Sequence, residues 1–378
     1  MRRLQLKFVP NRGIKLWGKH QSSRASKTAP NPYPSHGYSY SPHPWLYSRS
    51  RIVRIAHPLI NRYSMRIILA ALILGLAGIA PALADTPKVV ASLKPIHSLV
   101  AAVMGETGSP ELLVTGAASP HTFSLKPSQA ASLAEADLIF WVDPALEGFL
   151  VNPMANLAKE SASVPLLHTE GVTLLEAREG GIWESHHKDD THGHADEHED
   201  EHEGETDHQT LDPHFWLDIE NGIAAVTSIE HQLGKAYPDL AAVFAENASN
   251  YRERLLLLDT ELKEQLNPVR RQPYIVFHDA YQYFEERYDL SPAGSVTANP
   301  EVRPGARRIA DLKQASESAL CVFAEPQFEA RILQVLTEDE GVRLGYLDPL
   351  GSALPAGPDH YAATLRALAD SVADCLSQ

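Results

Sequence analysis

The chain is expected to fold as an α/β protein: two (β/α) lobes with parallel sheets, joined by one long spine helix. Three patterns predict this. Short apolar runs alternate with helical stretches after residue 85, and the same alternation resumes after residue 268. Between the two lies a single long helical period, Asp239–Leu266. Strands separated by helices argue for parallel sheets, because a parallel neighbour is reached only through a crossover connection.

In the first set, Lys88–Leu93 (KVVASL), Glu111–Thr115 (ELLVT), Asp137–Val142 (DLIFWV) and Val164–His168 (VPLLH) read as buried strands. Ile96–Met104 and Pro127–Ala136 read as helices between them. The second set supplies strands at Pro273–Phe277 (PYIVF), Ala319–Ala324 (ALCVFA) and Arg343–Leu347 (RLGYL). Along the spine, Leu240, Phe244, Ala248, Tyr251, Leu255, Leu258, Leu262 and Leu266 step by threes and fours down one face. Pro238 and Pro268 bracket it, and at 1.5 Å per residue it spans roughly 40 Å. A final amphipathic helix is expected in Asp359–Gln378, with Tyr361, Leu365, Leu368, Val372 and Leu376 on one face.

The N-terminus is expected to be processed rather than folded. Residues 1–64 hold 12 Lys/Arg, no acidic residue and no apolar period. From Met65 the sequence reads MRIILAALILGLAGIAPALADTPK: a basic Arg66, an apolar run Ile67–Ala80, and the small-x-small site Ala82-Leu83-Ala84. Those are the parts of a secretory signal peptide, residues 65–84, and the run is short for a lasting span. Because this signal opens on its own Met, 1–64 is expected to be a non-native or disordered extension. The parts that follow are an N-terminal lobe at 85–236, the connecting helix at 237–267 and a C-terminal lobe at 268–378.

Without residues 1–84 the chain carries 20 basic against 48 acidic side chains, a formal charge of −28. Such a field repels nucleic acid and suits cations. Only two cysteines are present, Cys321 and Cys375. In an exported chain an even pair suggests a disulfide, here closing a span of 54 residues and pinning the last helix. Two thiols are too few for a thiolate zinc centre, so a metal site must use His and carboxylates.

Residues 184–208 read ESHHKDDTHGHADEHEDEHEGETDH, with seven His and 11 Asp/Glu in 25 residues. A tract so polar cannot offset the entropy of ordering, so a disordered loop is expected. Its imidazoles (His186, His187, His192, His194, His198, His202 and His208) are metal donors and form a candidate low-affinity metal loop. A solvated spacer is the competing reading.

Seven further histidines follow residue 85: His97, His121, His168, His214, His231, His278 and His360. Three share a context. His121 lies in SPHTFSLKPSQ, His214 in DPHFWLD, and His278 follows PYIVF in FHDAYQYF. Each stands where a strand or loop hands over to a helix, the edge where α/β folds place their sites. His97 could stand near the N-lobe cleft, Glu325 is read as structural or as a support for a ligand, and the other histidines are given no role. No GxSxG occurs, the one HExxH match, His198–His202, lies within the polar tract rather than on an apolar-faced helix, and an enzyme is not expected.

The ordered run of SLKP, PHTFSLKPSQAASLAEADLIFWV, DPHFWLD, VFHDAYQYF, NPEVRPGARRI, CVFAEPQF and LDPLG resembles the periplasmic zinc-binding components of ABC importers, the ZnuA-type branch of the cluster A-I solute-binding proteins. The likeness covers essentially all of 85–378. It implies a metal site between the lobes, with His121, His214 and His278 as ligands, and Asp348 of LDPLG as the fourth. It also implies pairing of Cys321 with Cys375. Where some zinc members place a Glu before the first ligand His, this chain has Pro120, so the fourth ligand is expected to be Asp348 or water.

The implied function is capture of Zn²⁺ in the periplasm, as a monomer, and delivery to a membrane permease with its cytoplasmic ATPase. Manganese members carry Glu where His278 stands, so a manganese importer component is the nearest alternative. An adhesin-like metal-binding protein is the other, although no lipid-bearing Cys follows the signal peptide at Asp85.

Overall fold

The computed structural model describes residues 86–378, apart from 159, 179–182, 184–210, 301, 329–332, 334–335, 338–340 and 378. The extension 1–64, the signal peptide 65–84 and the His/acid tract 184–208 lie outside the described residues.

The first sheet forms from β1 (Val89–Ala91), β2 (Glu111–Leu112), β3 (Leu138–Trp141) and β4 (Ala162–Pro165), all parallel in the order β2-β1-β3-β4. Crossovers run through α1 (Lys94–Met104), α2 (Pro127–Glu135) and α3 (Gly148–Leu157). Side chains alternate across the sheet as strand geometry requires. Val89, Ala91, Leu138 and Phe140 face the central core, whereas Val90, Ile139 and Trp141 face an outer cluster with Leu133 of α2 and Leu150 of α3.

After α4 (Ile219–Ala236) and a turn of 3₁₀ helix at Pro238–Leu240 comes the spine, α5 (Ala241–Leu266). Phe244, Ala248, Tyr251, Leu255, Leu258, Leu262 and Leu266 are buried along it, the stripe the sequence marks except for Leu240, which stands half-buried in the 3₁₀ turn. The same cluster contains Leu99 and Phe140 from the first lobe and Tyr274 and Phe323 from the second, so one apolar body joins both. Truncating a spine leucine such as Leu258 to Ala should cost about 2–5 kcal/mol.

The second sheet repeats the first topology: β5 (Pro273–His278), β6 (Ser291–Thr297), β7 (Cys321–Ala324) and β8 (Arg343–Tyr346) lie parallel in the order β6-β5-β7-β8. Helices α6 (Gln282–Arg287) and α7 (Ala306–Ser316) follow β5 and β6. Strand β6 has no counterpart in the sequence reading. Its residues, SPAGSVT, include a Pro and a Gly that strands usually avoid. Both are tolerated because β6 is an edge strand and its register against β5 shifts between Tyr274 and Ile275.

The last helix, α8 (His360–Leu376), ties the lobes together. Tyr361 donates from its hydroxyl to the Trp216 carbonyl at 2.7 Å. A Cβ at Gly222 would meet that hydroxyl at 2.2 Å, so only glycine fits there. At its other end Cys375 is bonded to Cys321 on β7, as expected. The loop so closed spans 54 residues, and closing it contributes roughly 4 kcal/mol on the chain-entropy estimate. Among the described residues no helix is long and apolar enough to cross a membrane.

Candidate metal centre

Two turns and the end of a strand bring three imidazoles together. His121 sits in a 3₁₀ turn, Pro120–Thr122, after β2. His214 immediately precedes the turn Phe215–Leu217 that leads into α4. His278 is the last residue of β5, at the carboxyl edge of the second sheet. Their ring centroids lie 6.1 Å (His121–His214), 5.3 Å (His121–His278) and 5.0 Å (His214–His278) apart. One nitrogen from each falls within 4.8 Å of the others.

The rings are held from behind. Asp212 Oδ1 lies 2.7 Å from His214 Nδ1 and accepts the His214 amide at 2.9 Å. That partner keeps the proton on Nδ1 and leaves Nε2 as the donor to a metal. Glu325 Oε1 stands 3.4 Å from His278 Nδ1 and accepts from the Tyr281 hydroxyl at 3.1 Å. Glu325 thus stands behind the His278 ring. Asp212 is missed by sequence reading, although its position two residues before His214 is the available signal.

His121 differs. Its Nε2 is buried and makes no hydrogen bond. Burial, reinforced by the neighbouring His278 and His214, lowers its pKa to about 2. A buried nitrogen lone pair without a partner is costly unless something else satisfies it. Three imidazoles with nitrogens gathered this closely could hold a metal ion. A cavity of about 20 Å³ adjoins them, walled by Pro120, Trp216, Phe328, Pro349 and Leu350, with room for about one ion or water.

Asp348 is not brought to this group. Its Oδ1 accepts Gln327 Nε2 at 2.7 Å and the Leu350 amide at 3.1 Å. Its Oδ2 accepts the amide and the hydroxyl of Ser352, each at 2.6 Å. In this arrangement both carboxylate oxygens are engaged in the loop of Asp348 itself. The remaining histidines lie elsewhere: His97 Nε2 contacts the Pro110 carbonyl, His168 pairs with Asp143, His360 bridges the Pro355 and Leu350 carbonyls, and His231 is exposed.

Matched lobes about a long helix, with three imidazoles gathered where the lobes meet, define a two-lobed solute-binding protein suited to a metal cation. The family described as zinc-uptake complex component A, periplasmic (ZnuA) matches residues 89–375, and the chain belongs to that family. The high-affinity zinc uptake system protein ZnuA of Brucella suis biovar 1 is 43% identical over 310 residues, covering 77% of this chain and 92% of that protein. A crystal structure of ZnuA superposes with a TM-score of 0.62 at 23% identity, covering 77% of this chain and 99% of the other. A mutant of the laminin-binding adhesin Lmb of Streptococcus agalactiae superposes equally well, at 0.62 and 21% identity, over 76% of this chain and 98% of its own. At those identities the two structures speak for the fold alone.

Proposed function

We propose that this chain captures Zn²⁺ in the periplasm, as a monomer, and delivers it to an ABC permease driven by a cytoplasmic ATPase. The observation that carries the reading is the meeting of His121, His214 and His278, with His121 Nε2 buried and otherwise unpartnered. The names of the relatives, high-affinity zinc uptake proteins, support it. So does donor chemistry: three imidazoles favour zinc over manganese, which prefers harder oxygen ligands. The four hydrogen bonds already made by Asp348 favour water in the fourth position.

The parts assign themselves to that role. Residues 65–84 direct export, 85–236 and 268–378 form the lobes, and 237–267 connects them. The tract 184–208 collects zinc weakly and in exchange, losing affinity as its imidazoles protonate below about pH 6.5. Catalysis is not part of the role; binding and release are sufficient. Titrating metal-free protein with Zn²⁺ and Mn²⁺ against a competing chelator tests the reading. One tight zinc with strong discrimination against manganese is expected, and equal affinity for both ions would refute it.

A further inference from the structure

The segment that leads into the His/acid tract and the segment that leaves it are paired where they meet the site. Glu176 bridges Leu211, and the Asp212 amide donates to the Leu175 carbonyl at 2.9 Å. Tyr283 of α6 fastens this pair to the second lobe, accepting the Leu175 amide and donating to the Asp212 carbonyl, both at 3.0 Å. At its end stands Arg178. Its Nη1 donates to Glu285 Oε2 at 2.7 Å, its Nε to Asp279 Oδ1 at 3.0 Å, and its Nη2 also to Asp279 Oδ1. Glu285 is in turn held by the Tyr274 hydroxyl at 3.0 Å, on β5.

Asp279 directly follows the ligand His278, while Asp212, on the same paired segment, holds the ligand His214. One guanidinium therefore fixes the turn carrying one imidazole to the segment that orients another. The side chains of Arg178, Asp279 and Glu285 are only 16%, 5% and 3% exposed, so water screens these contacts little. A lysine could not reproduce them: it offers a point charge rather than a rigid fork reaching two carboxylates at once.

We propose that Arg178 is a positioning residue for the metal centre, holding His278 in register with His214 and so setting how slowly the ion leaves. This rests on the reading of the three histidines as a zinc site. Loss of the fork frees the turn after β5, and a ligand that swings away opens the ion to release.

The test uses the full chain loaded with one equivalent of Zn²⁺ and mixed with excess chelator, following release. Arg178→Ala is expected to speed release at least about tenfold, with Arg178→Lys in between. Arg252→Ala, which breaks the pair with Glu230 between α5 and α4, is the control for lost stability. It should lower the melting temperature and leave release within about twofold of wild type. In Co²⁺-loaded protein the visible bands should shift in Arg178→Ala and not in Arg252→Ala. If Arg178→Ala does not fold, Glu285→Gln should speed release in its place.

Unchanged release in the Arg178 and Glu285 variants, or equal acceleration in Arg252→Ala, would overturn the proposal. Wild-type protein that holds no tight zinc would overturn the functional reading, and this inference with it. Tight wild-type zinc with an indifferent Arg178 would overturn this inference alone.

Discussion

The loop around His121 and the loop around Asp348 both border the centre, and they treat their polar groups in opposite ways. His121 presents a buried Nε2 with no protein partner. Asp348 gives both oxygens to four donors of its own neighbourhood. A donor left unsatisfied by the fold is available to a ligand, whereas a satisfied one must first give up its bonds. The contrast separates a nitrogen without a protein partner from a carboxylate tied into its own loop.

Substitution at His121 should have the largest effect. His121→Ala removes a proposed ligand whose Nε2 has no protein partner, so zinc affinity should fall by more than the roughly 10–100-fold typical of outer partners. The metal-free fold should be little changed, as thermal unfolding would show. An affinity loss matched by an equal loss of metal-free stability would break the comparison. Asp212→Ala comes next: His214 loses the group that fixes its tautomer, and calorimetric affinity should drop by about 10–100-fold.

Asp348→Ala should reverse the pattern. The donors of Gln327, Leu350 and Ser352 lose their acceptor, so metal-free stability in denaturant should fall by about 1–3 kcal/mol. Zinc affinity should change less than about tenfold, less than for an outer partner. A loss as large as that of His121→Ala would make Asp348 a ligand after all.

The smallest effect near neutrality is on pH dependence. His121 titrates near 6.5 when unfolded and at about 2 in the metal-free fold. Below 6.5 the unfolded chain therefore binds a proton that the folded chain does not, and stability falls with falling pH. The slope from this residue is at most about 1.4 kcal/mol per pH unit. It is absent above 6.5 and should vanish in His121→Phe, measured by denaturant unfolding from pH 7.5 to 5.

Much of this arrangement is legible in the sequence, because periodicity and chain punctuation are local. The spine stripe from Phe244 to Leu266 follows from spacing, and the three histidines from their strand- or loop-to-helix junctions together with the family resemblance. Strand β6 escapes, since pairing with β5 and an edge position override the weak propensity of its Pro and Gly. The partners that tune the site escape for another reason. Arg178 and Asp279 are 101 residues apart in sequence, and nothing in LDPLG announces that Asp348 is bonded to Gln327 and Ser352.

The central question is whether His121, His214 and His278, and not the tract, hold the tight ion. The decisive measurement is a competitive Zn²⁺ titration of the protein lacking residues 184–208. One tight equivalent, with the affinity of the intact chain, is the predicted result. Loss of that equivalent would place the binding site in the tract and contradict the assignment to His121, His214 and His278.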